Sequence, residues 1–217
     1  MDEARHVEAY SRLLHEKFEL AYPITHGLKA LLESGLSDKR WDMTYLAMQI
    51  LIEGLALAAF QRLRDQSKNP LAAAVNAYVM QDEARHVAFG RLALRDFYPQ
   101  LTDAERRERE EFVVDACWLM RDRFNQREVW ERLGLPVDDC LRITDQSETM
   151  QTFRGRIFSR IVPTVKDIGL WGQQVQEAFA AMGAIEFAKV DAAALLDADA
   201  RAAEEFDALS RVKDAAK

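Results

Sequence analysis

The chain has 217 residues, 49% hydrophobic and 30% charged, a soluble, globular composition long enough for one domain with a full core. A formal net charge of −7 argues against a nucleic-acid-binding surface. The only two cysteines, Cys117 and Cys140, have no Cys-x-x-Cys spacing, which excludes a zinc knuckle and a disulfide framework. No signal-peptide pattern follows Met1, so a cytoplasmic location is the default expectation.

Few glycines and prolines, against abundant Ala, Leu, Glu and Arg, favour helix throughout. Val7, Tyr10, Leu14 and Phe18 recur at helical steps and place a first helix from the N-terminus to about Phe18, ended by Tyr22-Pro23. A short helix is expected from about Thr25 to Ser34, stopping near Gly35. Ser37 or Asp38 caps a long helix running through Glu53 to about Gln66. Its apolar run from Met43 to Gln61 is rich in Ala and Gln and carries Glu53 centrally, so it reads as a buried helix rather than a membrane span. Asn69-Pro70 forms the N-cap and first position of the next helix, which ends before Pro99. Thr102 caps a helix expected to continue to about Leu133, and another is expected from Asp145 to Ile161, broken at Pro163. Gly169 and Gly172 mark a turn, and an alanine-rich, acidic helical tail with a frayed end follows from about residue 175. The fold class is all-α, divided into a core over residues 1–100 and a helical extension over residues 101–217 packed on it.

The hexapeptide Asp2-Glu3-Ala4-Arg5-His6-Val7 recurs unchanged as Asp82-Glu83-Ala84-Arg85-His86-Val87. Each copy sets a glutamate and a histidine one helical turn apart on one face, a carboxylate–imidazole half-site for a transition metal. A repeat needed only for packing would preserve apolar positions, not Asp, Glu, Arg and His. Glu53 is the only charged residue between Asp42 and Arg62, flanked at helical spacing by Ile50, Leu57 and Phe60. A carboxylate in such surroundings is costly unless paired or bound to metal. Two glutamates from two helices plus two Glu-x-x-His pairs from two others make a dinuclear site inside a helix bundle.

On these residues the chain resembles the ferritin-like di-iron carboxylate superfamily, which includes multicomponent monooxygenases, acyl-carrier-protein desaturases, N-oxygenases and the radical subunit of ribonucleotide reductase. The Asp-Glu-x-Arg-His form of both motifs is most similar to the oxygenase and desaturase branches. The resemblance covers about residues 1 to 100 and implies a ferritin-like helical bundle with additional C-terminal helices. It implies that Glu3 and Glu83 bridge two irons, that His6 binds one and that Glu53 and His86 bind the other. It further implies that Asp2 orients His86, that Asp82 orients His6, and that Arg5 and Arg85 neutralise these aspartates. The expected cofactor is a pair of iron ions, with a manganese–iron pair as the variant. Tyr10, one turn after His6, matches the radical tyrosine of the reductase subunits in relative place, although a hydrogen-bonded core tyrosine has the same signature.

Thirty residues separate Glu53 from Glu83, so internal symmetry expects a glutamate about 30 residues before Glu3, where this sequence has none. Glu33, Asp38 and Asp42 do not sit centrally in an apolar helix and are poor substitutes. The expectation is a bundle lacking its first core helix, with that carboxylate lost or supplied by another chain, a weaker metal site at His6, and an exposed apolar stripe that favours self-association as a homodimer.

The resemblance implies an oxidoreductase, a monooxygenase that activates O2 and oxidises a small apolar or aromatic substrate. Its electrons come from an external donor, since no flavin or nicotinamide fingerprint is present. The alternatives are an iron-storage protein, a radical subunit and a metal-free helical remnant. Gln49, Ala56, Phe60, Val79, Phe89 and Gly90 are spaced to line a cavity beside the metals. His15 and His26 fall outside the pattern, and Trp118, Trp130 and Trp171 are expected in the core rather than in an electron relay.

Overall fold

The computed structural model describes residues 1–215, with side chains for residues 1–209, and no β-strand occurs among them. The frayed end expected of the tail falls outside the described residues. Helix α1 spans Asp2–Arg12 and continues through a π-helical turn, Leu13–Lys17. Helix α2, His26–Ser37, is capped by the Thr25 side chain, which accepts from the Leu28 amide. Gly35 does not stop it. A Cβ at Gly35 would lie 2.8 Å from the Ala47 side chain, so glycine here lets two helices cross closely instead of ending one.

The central pair is α3, Trp41–Gln66, and α4, Pro70–Phe97. The cap before α3 differs from the expectation: Asp38 accepts from the Arg40 amide and holds the chain just ahead of the helix. By length and composition α3 could cross a membrane, but Leu46, Ile50, Leu51 and Leu57 are completely or almost completely buried by its neighbours. Its segment Leu46–Ile52 is π-helical and runs straight into Glu53. Such stretches interrupt α-helices mostly at functional positions. Helix α4 begins at Asn69-Pro70 as expected, with the Asn69 side chain accepting from the Leu71 and Ala72 amides.

Helix α5, Asp103–Asp122, opens with a reciprocal capping box between Thr102 and Glu105. It does not continue to Leu133. The chain turns through Arg123–Asn125 and places Gln126 in the left-handed region at φ 56° before α6, Arg127–Arg132. Asn125 is held by a local bond from Trp130 to its carbonyl and a tertiary bond from Arg154 to its side chain, and these outweigh local helix propensity. Helix α7, Val137–Gln146, occupies a stretch where no helix was expected, and α8, Glu148–Arg156, is the helix expected from Asp145 to Ile161, ending five residues early. Pro163 does not break a helix either. It lies in the first turn of α9, Ile161–Asp167, where its missing N–H has no partner to lose. Helices α10, Gln173–Ala181, α11, Ala192–Asp199, and α12, Ala202–Ala215, complete the chain.

One apolar core joins both halves of the sequence, with Leu46, Ile50, Leu51 and Leu94 packed with Met120, Phe158, Ile161 and Phe179. Trp118 and Trp171 pack against it. A second, smaller cluster joins Leu57, Met80, Ala84 and Val87 to Leu196 and Ala202, so α11 and α12 back the second motif copy. Helix α1 packs on α4, and Tyr10 stacks on Phe60 of α3 at 5.7 Å.

Candidate metal centre

Helices α1, α3 and α4 bring Glu3, Glu53, Glu83 and His86 together, with one possible ligand atom from each lying within 4.8 Å of all the others. Glu83 is nearly fully buried and lies between the two histidines. Its Oε1 is 3.1 Å from His6 Nδ1 and its Oε2 is 3.1 Å from His86 Nδ1. Glu3 Oε1 also reaches both rings, 3.2 Å from His86 Nδ1 and 3.6 Å from His6 Nδ1. The ring centroids are 6.3 Å apart. Two carboxylates thus span two imidazoles whose Nδ1 atoms face them.

The opposite ring nitrogens are held crosswise. His6 Nε2 lies 3.0 Å from Asp82 Oδ2, and His86 Nε2 lies 3.3 Å from Asp2 Oδ2. Each aspartate therefore fixes the histidine of the other motif copy, setting which ring nitrogen is left for the centre. Arg5 donates to Asp2 at 2.5 Å and to Asp82 at 3.2 Å, bridging the two, and Arg85 pairs with Asp82. The bond to His86 holds the Asp2 carboxyl below the usual carboxylate range, helped by Arg5.

Burial, the nearby Glu83 carboxylate and Glu3 push the Glu53 carboxyl up to about 7, against a smaller lowering by His86. Burial and Glu3 likewise raise Glu83. Burial disfavours the charged His86 ring, but Glu83, Asp2 and Glu53 outweigh it and raise the imidazole overall. These are acids crowded into a site that lacks enough positive charge for them.

Two buried atoms mark the same deficit. Glu53 Oε2 and His6 Nδ1 are fully buried without a hydrogen-bond partner. Buried polar atoms in native proteins are almost always satisfied, and a bound ion is one standard reason for an exception. The donor set, carboxylate oxygens with two imidazole nitrogens, suits iron or manganese. The residues present therefore fit a metal centre.

Tyr10 donates to Asn76 Oδ1 at 3.0 Å, and the buried Asn76 side chain donates to the Ala72 carbonyl at 2.8 Å. Burial, reinforced by Glu83, raises the phenol well above its ordinary value. Sequence reasoning missed Asn76, although it lies seven residues before Glu83 and so on the same face of α4. Glu33, Asp38 and Asp42 are engaged elsewhere, with Lys29, Arg40 and Arg109 respectively. His15 is exposed and His26 lies beside Glu128 on the surface.

The expected cavity residues divide. Val79 borders a groove of about 500 Å³ between α1 and α4 that also touches His6, Ala9, Leu71 and Val75. Phe89, in contrast, is 60% exposed and packs on Tyr45 at the surface. Gly90 is closed rather than open, since a Cβ there would come within 2.5 Å of the Gln49 side chain. Phe60 is occupied in stacking on Tyr10.

A family model for p-aminobenzoate N-oxygenase AurF matches residues 51–169. This span covers more than half of the chain and includes Glu53 and the whole second motif copy. The chain belongs to the AurF family. AurF-family proteins are ferritin-like di-iron oxygenases, which agrees with the all-helical fold; the first motif copy lies outside the matched span. At family level the activity is that of a di-iron oxygenase acting on an aromatic substrate. No curated protein and no solved structure gave a match.

Proposed function

We propose that this protein is an O2-dependent oxygenase of a small aromatic substrate, an arylamine being the leading class, and that Glu3, His6, Glu53, Glu83 and His86 hold its two metal ions. The observation that carries the reading is the coincidence of the tight carboxylate–histidine cluster with two buried ligand atoms, Glu53 Oε2 and His6 Nδ1, that make no hydrogen bond. An AurF-family metal pair, when bound, supplies O2 binding and the redox equivalents for the oxidation.

The chain's own residues have separable tasks. Glu83 and Glu3 span the two histidines, and Asp2 and Asp82 keep each ring turned with Nδ1 toward the centre. Glu53, with its carboxyl raised to about 7, can hold a proton near neutral pH until a cation displaces it. The groove beside His6, walled by Ala9, Leu71, Val75 and Val79 with Tyr78 at its side, offers an apolar surface for an aromatic ring. Tyr10 is a positioning residue here, holding Asn76 and Phe60 behind the centre.

The test is anaerobic loading with Fe(II), followed by O2, a chemical reductant and a panel of aminobenzoates and anilines. Oxygen from 18O2 in an N-oxidised product is the expected result. Full metal loading with no oxygen incorporation into any arylamine, but rapid accumulation of ferric iron in large amounts, would favour iron storage instead.

A further inference from the structure

A cavity of about 370 Å³ opens between α3, the end of α8 and the turn Ile185–Lys189. It lies away from the metal centre. Ala58, Gln61, Arg62 and Asp65 border it and share one face of α3, whereas Glu53 and Phe60 share another. At 3.6 residues per turn the two faces are about 130° apart around the helix axis.

The charges around this cavity do not cancel. Buried Arg160 is neutralised by Asp199, which accepts from Nη2 at 2.7 Å and from Nε at 3.0 Å. Asp65 is taken by Arg64 at 2.8 Å. Arg62 and Arg156 remain, and neither has a carboxylate partner among the described residues. Arg62 instead lies over the Phe153 ring, 4.6 Å from its centroid. Two exposed guanidinium groups without a carboxylate thus stand at one concave site in a chain of net charge −7.

Hydrogen-bonding capacity points the same way. Gln61 Oε1 accepts from Arg160 Nη1 at 2.8 Å, which fixes the orientation of the amide. Its NH2 group therefore remains a donor, without a partner among the described residues. The cavity thus gathers donors from Arg62, Arg156 and Gln61, while Phe153, Phe187 and Ile157 provide apolar wall. Guanidinium forks match a carboxylate, and an apolar wall with aromatic rings suits a flat hydrocarbon body.

We propose that this cavity binds a small aryl carboxylate through Arg62, Arg156 and the Gln61 amide, at a site separate from the metal centre. The proposal does not depend on the oxygenase reading, because none of its residues belongs to the cluster of Glu3, Glu53, Glu83 and His86.

Isothermal titration of the full chain with benzoate, benzamide and inorganic phosphate tests it. Benzoate is expected to bind one-to-one, with benzamide and phosphate each at least about tenfold weaker, since one lacks the charge and the other the ring. The double variant Arg62→Gln/Arg156→Gln, altered only at exposed side chains, should lose about tenfold or more in benzoate affinity with an unchanged melting temperature. Glu53→Gln should bind benzoate as the wild type does. A benzoate affinity that the double substitution leaves unchanged, or that is lost in Glu53→Gln, would place the ligand at the metals and overturn the proposal. Equal binding of benzamide would remove the role of charge, equal binding of phosphate would remove the aryl assignment, and no benzoate binding would refute the site outright.

Discussion

Replacing Glu53 by glutamine should stabilise the metal-free protein at pH 8 and leave it almost unchanged at pH 4. The Glu53 carboxyl sits at about 7 in the fold, against an ordinary value of 4.5. Below about pH 4.5 the group is protonated both folded and unfolded, and the native state bears no penalty. Between pH 4.5 and 7 the folded state holds more protons than the unfolded one, so stability falls as pH rises and is fully reduced above 7. A shift of about 2.5 units corresponds to about 3 kcal/mol, and solvent screening of this half-buried side chain brings it to about 2 kcal/mol. Glutamine has the same shape without the charge. Urea denaturation of the metal-free wild type and variant at both pH values reads the difference. The variant should be about 2 kcal/mol more stable at pH 8 and within about 0.5 kcal/mol at pH 4. Added Mn(II) or Fe(II) should reverse the order at pH 8, because a ligand that binds only the folded state stabilises it by about 2.7 kcal/mol at a hundred times its dissociation constant. An equal difference at both pH values, or a loss of stability at pH 8, would refute the account of Glu53 as an uncompensated buried acid.

Three further outcomes are expected. Anaerobic iron titration should resolve one tighter and one weaker site, since Glu3, Glu53 and Glu83 all cluster with His86 whereas the Nδ1 atom of His6 faces only Glu3 and Glu83; two equal tight sites would contradict this. Tyr10→Phe leaves Asn76 Oδ1 without its donor and should cost about 1–3 kcal/mol by thermal denaturation while preserving O2-dependent turnover. Lost turnover at unchanged metal content, together with loss of a tyrosyl-radical signal in electron paramagnetic resonance, would restore the radical-subunit reading. Arg109→Ala strands Asp42, whose buried carboxylate lies 3.1 Å from Arg109, and should destabilise the protein by about 3–5 kcal/mol in urea melts, with metal affinity unaltered in the folded fraction.

Legibility followed the reach of the physical signal. The Asn69-Pro70 start of α4 and the Thr102 start of α5 were readable because caps act within one helical turn. The continuation of α5 to Leu133 was not, because the break at Gln126 depends on Trp130 and Arg154 gripping Asn125. The π-helical stretch before Glu53 and the closure of Gly90 by Gln49 likewise arise from how α3 and α4 pack, which no local pattern encodes. The buried pair of Asp42 and Arg109 joins residues 67 positions apart, a link that no local pattern carries.

The duplicated Asp-Glu-Ala-Arg-His-Val and the isolated Glu53 sufficed to point to a cluster of potential metal ligands, since helical spacing alone puts a carboxylate and an imidazole on one face and an apolar helix alone makes a central glutamate costly. What the sequence could not separate was the two copies. Val87 is completely buried, whereas Val7 is 70% exposed, and Glu83 lies deep while Glu3 lies near the surface. Only the tertiary structure decided this. Helix α4 is enclosed by α3 on one side and by α11 and α12 on others, and α1 leans on its neighbours along a single face. Identical hexapeptides thus meet different dielectric surroundings, and the acids of the enclosed copy and its partner Glu53 are the ones whose titration the fold displaces most.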